Sequence, residues 1–205
     1  MSEPEPRAAA AQTAPPVVNL ANALTLFRIV LVPVFVVVLF VDDGHSALWR
    51  VIAFLVFAVA AITDQIDGRI ARSWNLVTDF GKMADPIADK ALIGAALLGL
   101  SILNELPWWV TVVILVREIG VTLLRFWVIR HGVIPASRGG KLKTLLQCFG
   151  IGLFVLPLYG ALHIVGWVFI VAAVVATVVT GLDYIWQAIS LRRSAHAAAT
   201  DAKFR

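Results

Sequence analysis

The chain has 205 residues, of which 60% are hydrophobic and 15% charged, and its formal net charge at pH 7 is +4. With a mean hydropathy of +0.88, it carries too much apolar surface for a soluble domain of its size, so we predict an integral membrane protein. The positive charge is weak evidence for nucleic acid, because no basic segment interleaved with aromatic residues accompanies it, and we expect no nucleic-acid partner.

The chain divides into two tails and an apolar centre. Residues 1–17, with alanine and proline runs, are predicted to be a disordered N-terminal tail. A helix needs about 20 apolar residues to cross a bilayer, and such stretches recur through residues 18–190. We predict an all-α membrane domain there, followed by a basic C-terminal tail at 191–205. Its six transmembrane helices are expected to begin near Leu24, Trp49, Pro86, Pro107, Leu145 and Ile164.

The distribution of Lys and Arg predicts how this domain is oriented. Most of these residues lie in or beside the two tails and the second and fourth connections. The other three connections hold essentially Arg50 alone, beside Asp42, Asp43 and Glu105. Because cytoplasmic loops carry an excess of positive charge, we expect both termini in the cytoplasm. We also expect a multi-pass protein of the cell (plasma or inner) membrane, with the second connection on the cytoplasmic side.

Four aspartates flank that second connection. Asp64 and Asp67 are one helical turn apart, as are Asp85 and Asp89, and the short connector 73–80 makes the two helices antiparallel neighbours. Carboxylates are costly in apolar surroundings, and four together would repel one another, so we predict that they hold two divalent cations. A set of oxygen ligands without His or Cys favours a hard ion such as Mg²⁺ or Mn²⁺.

Small and basic residues share the same helical faces. Gly68 and Gly81 remove side chains beside the predicted metals, which would allow a phosphorylated ligand to approach the backbone closely. Arg72, one turn beyond Gly68, offers a guanidinium for phosphate. Any one intramembrane aspartate can equally be a proton relay, an ion-pair partner or a helix contact. The combined spacing of all these residues leaves that interpretation little room.

The complete pattern, D-x-x-D-G-x-x-A-R from Asp64 and G-x-x-x-D-x-x-x-D from Gly81, resembles the signature of the CDP-alcohol phosphotransferase family. The resemblance implies a six-helix membrane enzyme, commonly a homodimer, that transfers a phosphatidyl or related group from a CDP-linked donor to an alcohol. It implies that the matching aspartates hold two metal ions and that Asp89 is the general base. The residues it assigns to CDP-diacylglycerol are Asn22 and Thr25, from an N-x-L-T-x-x-R segment, together with Gly68, Arg72, Thr78 and Gly81.

A second group of basic residues suggests where the acceptor binds. Arg117 and Arg125 lie inside an apolar helix, and Lys141 and Lys143 follow in the next connection. These cations gather at one mouth of the bundle, where an anionic, water-soluble substrate could be captured. For the two lysines alone, the excess of positive charge on the cytoplasmic side is an equally good explanation. It accounts poorly for arginines within a helix.

The pattern R-E-x-x-V-T-x-x-R, followed by P-A-S-x-x-G-K-x-K-T, resembles the branch of this family whose acceptor is sn-glycerol 3-phosphate. The implied reaction converts CDP-diacylglycerol and sn-glycerol 3-phosphate into phosphatidylglycerophosphate and CMP. The implied acceptor ligands are Arg117, Arg125, Lys141 and Lys143. The alternatives are a relative that uses another acceptor, such as a cardiolipin synthase or a phosphatidylinositol phosphate synthase, a cation transporter, and a purely structural membrane protein.

Overall fold

The computed structural model describes the backbone of residues 20–73, 79–128 and 138–203. Side chains are described for residues 22–64, 66, 87–124 and 139–190. The predicted N-terminal tail therefore lies outside the described residues, and its disorder stays a prediction. Within the described ranges every long element is a helix and no strand occurs, which confirms the predicted all-α class.

Within the described residues, six α-helices follow one another along the chain. They are α1 (Leu20–Leu39), α2 (Ala47–Ser73), α3 (Asp79–Ile102), α4 (Trp108–Val128), α5 (Arg138–Val155) and α6 (Ala161–Lys203). A short 3-10 turn at Val41–Gly44 joins α1 to α2. Helices α3 and α5 each begin seven residues before the predicted apolar stretches, since their first two turns carry the polar residues of the predicted site.

Three of the described helices are long and apolar enough to cross a membrane. These stretches are Asn22–Leu39 in α1, Ala47–Asp64 in α2 and Ala161–Ser190 in α6. The 43 residues of α6 extend over about 64 Å at 1.5 Å per residue, roughly twice the thickness of the hydrocarbon core. This helix therefore continues through most of the predicted C-terminal tail.

The helices pack around one continuous apolar core. Helix α1 packs on α2 and α3, and α6 packs on both α4 and α5. The fully buried side chains Phe35, Leu97, Ile114 and Ile170 come from α1, α3, α4 and α6 and belong to a single cluster. Its apolar contacts hold the polar ends of the helices in a fixed relation to one another.

Gly150 permits the close approach of α5 and α6. A Cβ atom at this position would lie 2.9 Å from Cδ1 of Ile170 and 3.1 Å from its backbone nitrogen. Contacts this short with backbone atoms cannot be relieved by a rotamer change, so a larger residue would push the helices apart. The glycine therefore serves helix packing.

One buried arginine ties together the end of the bundle that lies away from the aspartates. Arg50, in the first turn of α2, is 4% exposed. Its Nε donates to the carbonyl oxygen of Val155 at 2.7 Å, and its Nη1 donates to Oε1 of Glu105 at 2.7 Å and to the carbonyl oxygen of Gly44 at 3.3 Å. It thereby caps the carboxyl end of α5, whose last carbonyl groups have no partner within the helix.

Substitution of Arg50 by Met should destabilise the protein without altering the polar residues at the end of the bundle that carries the aspartates. The change leaves buried carbonyl groups and Glu105 without their donor, so we expect a loss of roughly 2–4 kcal/mol in the free energy of unfolding. For a chain of this size the thermal midpoint should fall by about 5–10 °C. Thermal unfolding in detergent would measure it.

Glu105→Gln is the matched control for Arg50→Met. Because the Glu105 side chain is 37% exposed and the bonds of Arg50 to carbonyl groups remain, this variant should lose less than about 1 kcal/mol. Equal losses in the two variants would show that the ion pair, rather than the helix cap, provides the stability.

Candidate active site

Helices α2 and α3 bring two of the predicted metal ligands together. Asp64 lies on α2 and Asp89 on α3, and their carboxyl groups are within electrostatic range of each other. Asp67 and Asp85 lie on the same two helices, but their side chains are outside the described part of the structure. Asp64 and Asp89 thus lie near each other, and their role as metal ligands stays a prediction.

Helix α1 supplies a buried cation to this site. Arg28 is 0% exposed, and its Nη1 donates to Oδ1 of Asp64. Asn22 and Thr25 precede it at intervals of three residues and are buried at 6% and 1% exposure. These three residues therefore belong to the buried face of α1, and two of them are the predicted nucleotide ligands.

Arg117 is held by α4 and α6 together. Its Nη1 donates to Oε1 of Glu118 at 3.2 Å, its Nη2 to Oγ1 of Thr180 at 2.7 Å, and its Nε to the carbonyl oxygen of Thr177 at 3.2 Å. A Cβ atom at Gly181 would lie 3.1 Å from Cγ of Arg117. The glycine thus makes room for the arginine stem against α6.

Glu118 joins this arginine to α5. Nζ of Lys143 donates to the same Oε1 atom of Glu118 that Arg117 contacts. Lys143 is 4% exposed, so its ammonium group depends on this partner for compensation of its charge. Asp89 lies within electrostatic range of both Glu118 and Lys143. Lys143 and its partner Glu118 therefore belong to the same polar site as Asp64 and Asp89.

A further link connects α3 to α4 beside Asp89. Nζ of Lys90 donates to Oγ1 of Thr122, which donates in turn to the carbonyl oxygen of Glu118 at 2.7 Å. The link joins α3 to α4 at the residue that follows Asp89 in the chain. It also fixes the position of Glu118 along α4 relative to Asp89.

The predicted acceptor residues differ in their surroundings. Arg117 and Lys143 both contact Glu118, whereas Lys141 is exposed, and acceptor binding by these residues stays a prediction. Arg125 lies on α4 with its side chain outside the described residues. The same holds for the predicted donor ligands Gly68, Arg72 and Gly81 on their helices, and Thr78 falls in the undescribed segment 74–78.

Sequence reasoning did not assign several partners in this site, among them Arg28, Glu118 and Thr180. Arg28 and Glu118 stand in the segments N-x-L-T-x-x-R and R-E-x-x-V-T-x-x-R, so their positions in those motifs were an available signal. Thr180 lies 63 residues from Arg117 on an otherwise apolar helix. Nothing in its sequence surroundings indicates the contact, because only the packing of α4 on α6 creates it.

The profile of the CDP-alcohol phosphatidyltransferase family matches residues 18–179, and the chain therefore belongs to that family. The match includes all six described helices, with α6 covered in part, and it confirms the predicted resemblance. A relative from Mycobacterium tuberculosis, named probable phosphatidylglycerophosphate synthase, is 58% identical over 173 residues, covering 84% of this chain and 83% of the relative.

Two more distant relatives are named CDP-diacylglycerol–glycerol-3-phosphate 3-phosphatidyltransferase. The one from Rickettsia typhi is 41% identical and covers 81% of this chain and 94% of the relative. The one from Bacillus subtilis is 36% identical and covers 83% of this chain and 97% of the relative. The similarity thus extends over nearly the whole length of these proteins.

The contact between Glu118 and Lys143 should appear as strong energetic coupling. We expect the double-mutant cycle of Glu118→Gln and Lys143→Met to give a coupling free energy of about 1–3 kcal/mol, since Glu118→Gln leaves the buried ammonium group of Lys143 without this anionic partner. The unfolding free energies of the four proteins in detergent give this value.

The control cycle uses an exposed pair on α6. Nε2 of Gln187 donates to Oδ2 of Asp183 at 2.8 Å in an exposed position, so the cycle of Asp183→Ala and Gln187→Ala should give less than about 0.5 kcal/mol. Coupling of the same size in both pairs would contradict the view that burial strengthens the contact of Glu118 with Lys143.

Proposed function

We propose that this protein transfers the phosphatidyl group of CDP-diacylglycerol to sn-glycerol 3-phosphate, releasing phosphatidylglycerophosphate and CMP. The names and high identity of its relatives support this reaction. The structural observation that carries the proposal is the buried ammonium group of Lys143 within electrostatic range of Asp89, with Arg117 held beside it on Glu118. A phosphorylated acceptor bound by these cations would lie beside the activated donor.

The proposed setting is the cell membrane. We propose six transmembrane helices, cytoplasmic termini and an active site at the cytoplasmic face of a homodimer. The three helices with spanning length and apolarity support insertion into a bilayer, and the distribution of Lys and Arg supports the orientation. A lipid donor can then enter sideways between helices, while the water-soluble acceptor arrives from the cytoplasm.

The aspartates are the proposed metal ligands. Asp64 and Asp89 place like charges from two helices within electrostatic range, and their oxygen donors suit Mg²⁺ or Mn²⁺. Carboxylate oxygens without a His or Cys ligand are the donor set that a hard divalent cation prefers. We propose that Asp64, Asp67, Asp85 and Asp89 together would hold two such ions. When bound, the ions would stabilise negative charge on the diphosphate of the donor and on the departing CMP.

The remaining chemistry is proton transfer and positioning. A hydroxyl of the acceptor attacks the lipid-side phosphorus, a new P–O bond forms, and the P–O bond to CMP breaks. Asp89 is the proposed general base that takes the hydroxyl proton. Lys143 and Arg117 would hold the acceptor phosphate so that this hydroxyl faces the phosphorus, which turns an encounter in solution into a reaction between fixed groups.

The donor headgroup is assigned to the helices that surround the aspartates. The proposed ligands of CDP-diacylglycerol are Asn22, Thr25, Gly68, Arg72, Thr78 and Gly81. The burial of Asn22 and Thr25 on the face of α1 that carries Arg28 supports their part in this assignment. The proposed acceptor ligands are Arg117, Arg125, Lys141 and Lys143.

Two explanations compete with this proposal: the enzyme uses a different acceptor, or the protein transports cations. Purified protein supplied with labelled CDP-diacylglycerol should consume glycerol 3-phosphate, and neither inositol phosphate nor phosphatidylglycerol should replace it. Preference for either of those would assign the protein to a phosphatidylinositol phosphate synthase or a cardiolipin synthase. Uptake of metal into vesicles without release of CMP would support a cation transporter instead.

Replacement of the aspartates should remove turnover. Asp64→Asn and Asp89→Asn each delete a carboxylate charge from the site, and we expect CMP release to fall on the order of a thousandfold, equivalent to about 4 kcal/mol of transition-state stabilisation. Asp42→Asn is the matched control, since Asp42 is exposed at the other end of α1 and has a positive φ of 57° that asparagine tolerates.

Metal titration supplies the second measurement for these variants. Asp64→Asn should require a higher concentration of Mg²⁺ or Mn²⁺, while Asp42→Asn should follow the wild type. Unchanged metal affinity in Asp64→Asn, or full activity of chelator-treated wild-type protein, would contradict the assignment of Asp64 as a metal ligand.

Lys143 and Lys141 should differ in their effect on the acceptor. Lys143→Met removes a buried ammonium group from the proposed phosphate site, so the KM for glycerol 3-phosphate should rise by about tenfold to a hundredfold, with little change in the KM for CDP-diacylglycerol. Lys141→Met removes a proposed ligand whose charge is exposed and screened by water, so the acceptor KM should rise by only about threefold. A rise in the donor KM alone would refute the role of Lys143.

A further inference from the structure

Gln147 on α5 has a buried amide group without a partner. The residue is 2% exposed, and its Nε2 atom has no hydrogen-bond partner among the residues that the structure describes. Native proteins seldom leave such donors unpaired, because the group gives up its bonds to water and receives nothing in return. An exception of this kind marks a position where a bound group could accept the hydrogen bond.

The position of Gln147 indicates which group that is. It lies four residues after Lys143, so both side chains project from one face of α5. The next residue, Cys148, is within electrostatic range of Asp64, Asp89 and Lys143, and α5 packs on both α2 and α3. The turn of α5 that carries Gln147 therefore lies at the junction of the aspartate site and the cation network.

The cations already present explain why a neutral donor is useful there. Lys143 and Arg117 both bind Glu118, so the net charge of this trio is only +1 before a dianionic phosphate arrives. An amide supplies two N–H donors without adding a buried charge that would itself need compensation. Because phosphate has several acceptor oxygens, it can satisfy the amide and the two cations at once.

We propose that Gln147 is a further acceptor-binding residue, whose Nε2 donates a hydrogen bond to the phosphate of the water-soluble acceptor beside Lys143. This inference rests on the proposed function, because it assigns the phosphate to an acceptor of the transfer reaction. It adds a neutral donor on α5 to the cations that sequence patterns indicate.

Gln147→Met is the informative variant, since it keeps the length of the side chain and deletes the amide. Without acceptor, its thermal midpoint should equal or exceed that of the wild type, because the change removes a buried donor that has no partner. The KM for glycerol 3-phosphate should nevertheless rise about tenfold to a hundredfold, while the KM for CDP-diacylglycerol stays within twofold. Gln187→Met on the exposed face of α6 should match the wild type in every measurement.

Inorganic phosphate tests which part of the acceptor Gln147 binds. As a competitor of glycerol 3-phosphate, phosphate should show an inhibition constant that rises in Gln147→Met by the same factor as the acceptor KM. A lowered thermal midpoint, an acceptor KM within twofold of the wild type, a parallel rise in the donor KM, or an unchanged phosphate inhibition constant would each overturn the inference.

Assays of the wild-type protein distinguish a failure of this inference from a failure of the proposed function. Wild-type protein that does not consume glycerol 3-phosphate would overturn the proposed reaction and the inference together. Wild-type protein that consumes it, alongside a Gln147→Met variant with unaltered acceptor kinetics, would overturn the inference alone.

Discussion

The arrangement of this site depends on the cost of placing charge inside an apolar bundle. Arg28, Lys143 and Asp89 are largely removed from water, and a buried charge without a partner destabilises the fold that carries it. The observed pairs, Arg28 with Asp64 and Lys143 with Glu118, keep this cost low. Each pair also joins two different helices, so the polar contacts set the relative positions of the helices at this end of the bundle.

These pairs explain how one end of a lipid-embedded bundle can receive charged substrates. Donor and acceptor both bring negative phosphate groups, and each needs compensating charge in a fixed place. The aspartates would supply it to the donor through divalent ions, whereas Arg117 and Lys143 would supply it directly to the acceptor. Because Glu118 already holds both cations, they stand in position before a substrate arrives, which limits the ordering that binding must bring about.

The sequence predicts the helical class and the order of the helices well, because long apolar stretches leave few alternatives. It also places Asp64 and Asp89 on neighbouring helices, and the family match confirms the family that their spacing indicates. The predicted starts of α3 and α5 lie seven residues too late. Hydropathy identifies the apolar part of a helix and does not detect its polar first two turns.

Sequence patterns do not predict contacts between helices that are far apart in the chain. The bonds from Arg117 to Thr180 on α6 and from Arg50 to the end of α5 depend on how whole helices pack. Gln147 illustrates the same limit, since glutamine in a helix is ordinary, and only its burial without a partner singles it out. Of the six predicted membrane spans, three correspond to described helices that are long and apolar enough to cross a bilayer.

The central claim is that one polar site receives the acceptor phosphate on the α4 and α5 cations and presents its hydroxyl to Asp89. An experimental structure of the protein in lipid nanodiscs with glycerol 3-phosphate and Mg²⁺ would test it most directly. The account predicts phosphate density within hydrogen-bond distance of Arg117 and Lys143, and a glycerol hydroxyl facing Asp89. Acceptor density at any other place, with Glu118 still holding both cations, would contradict it.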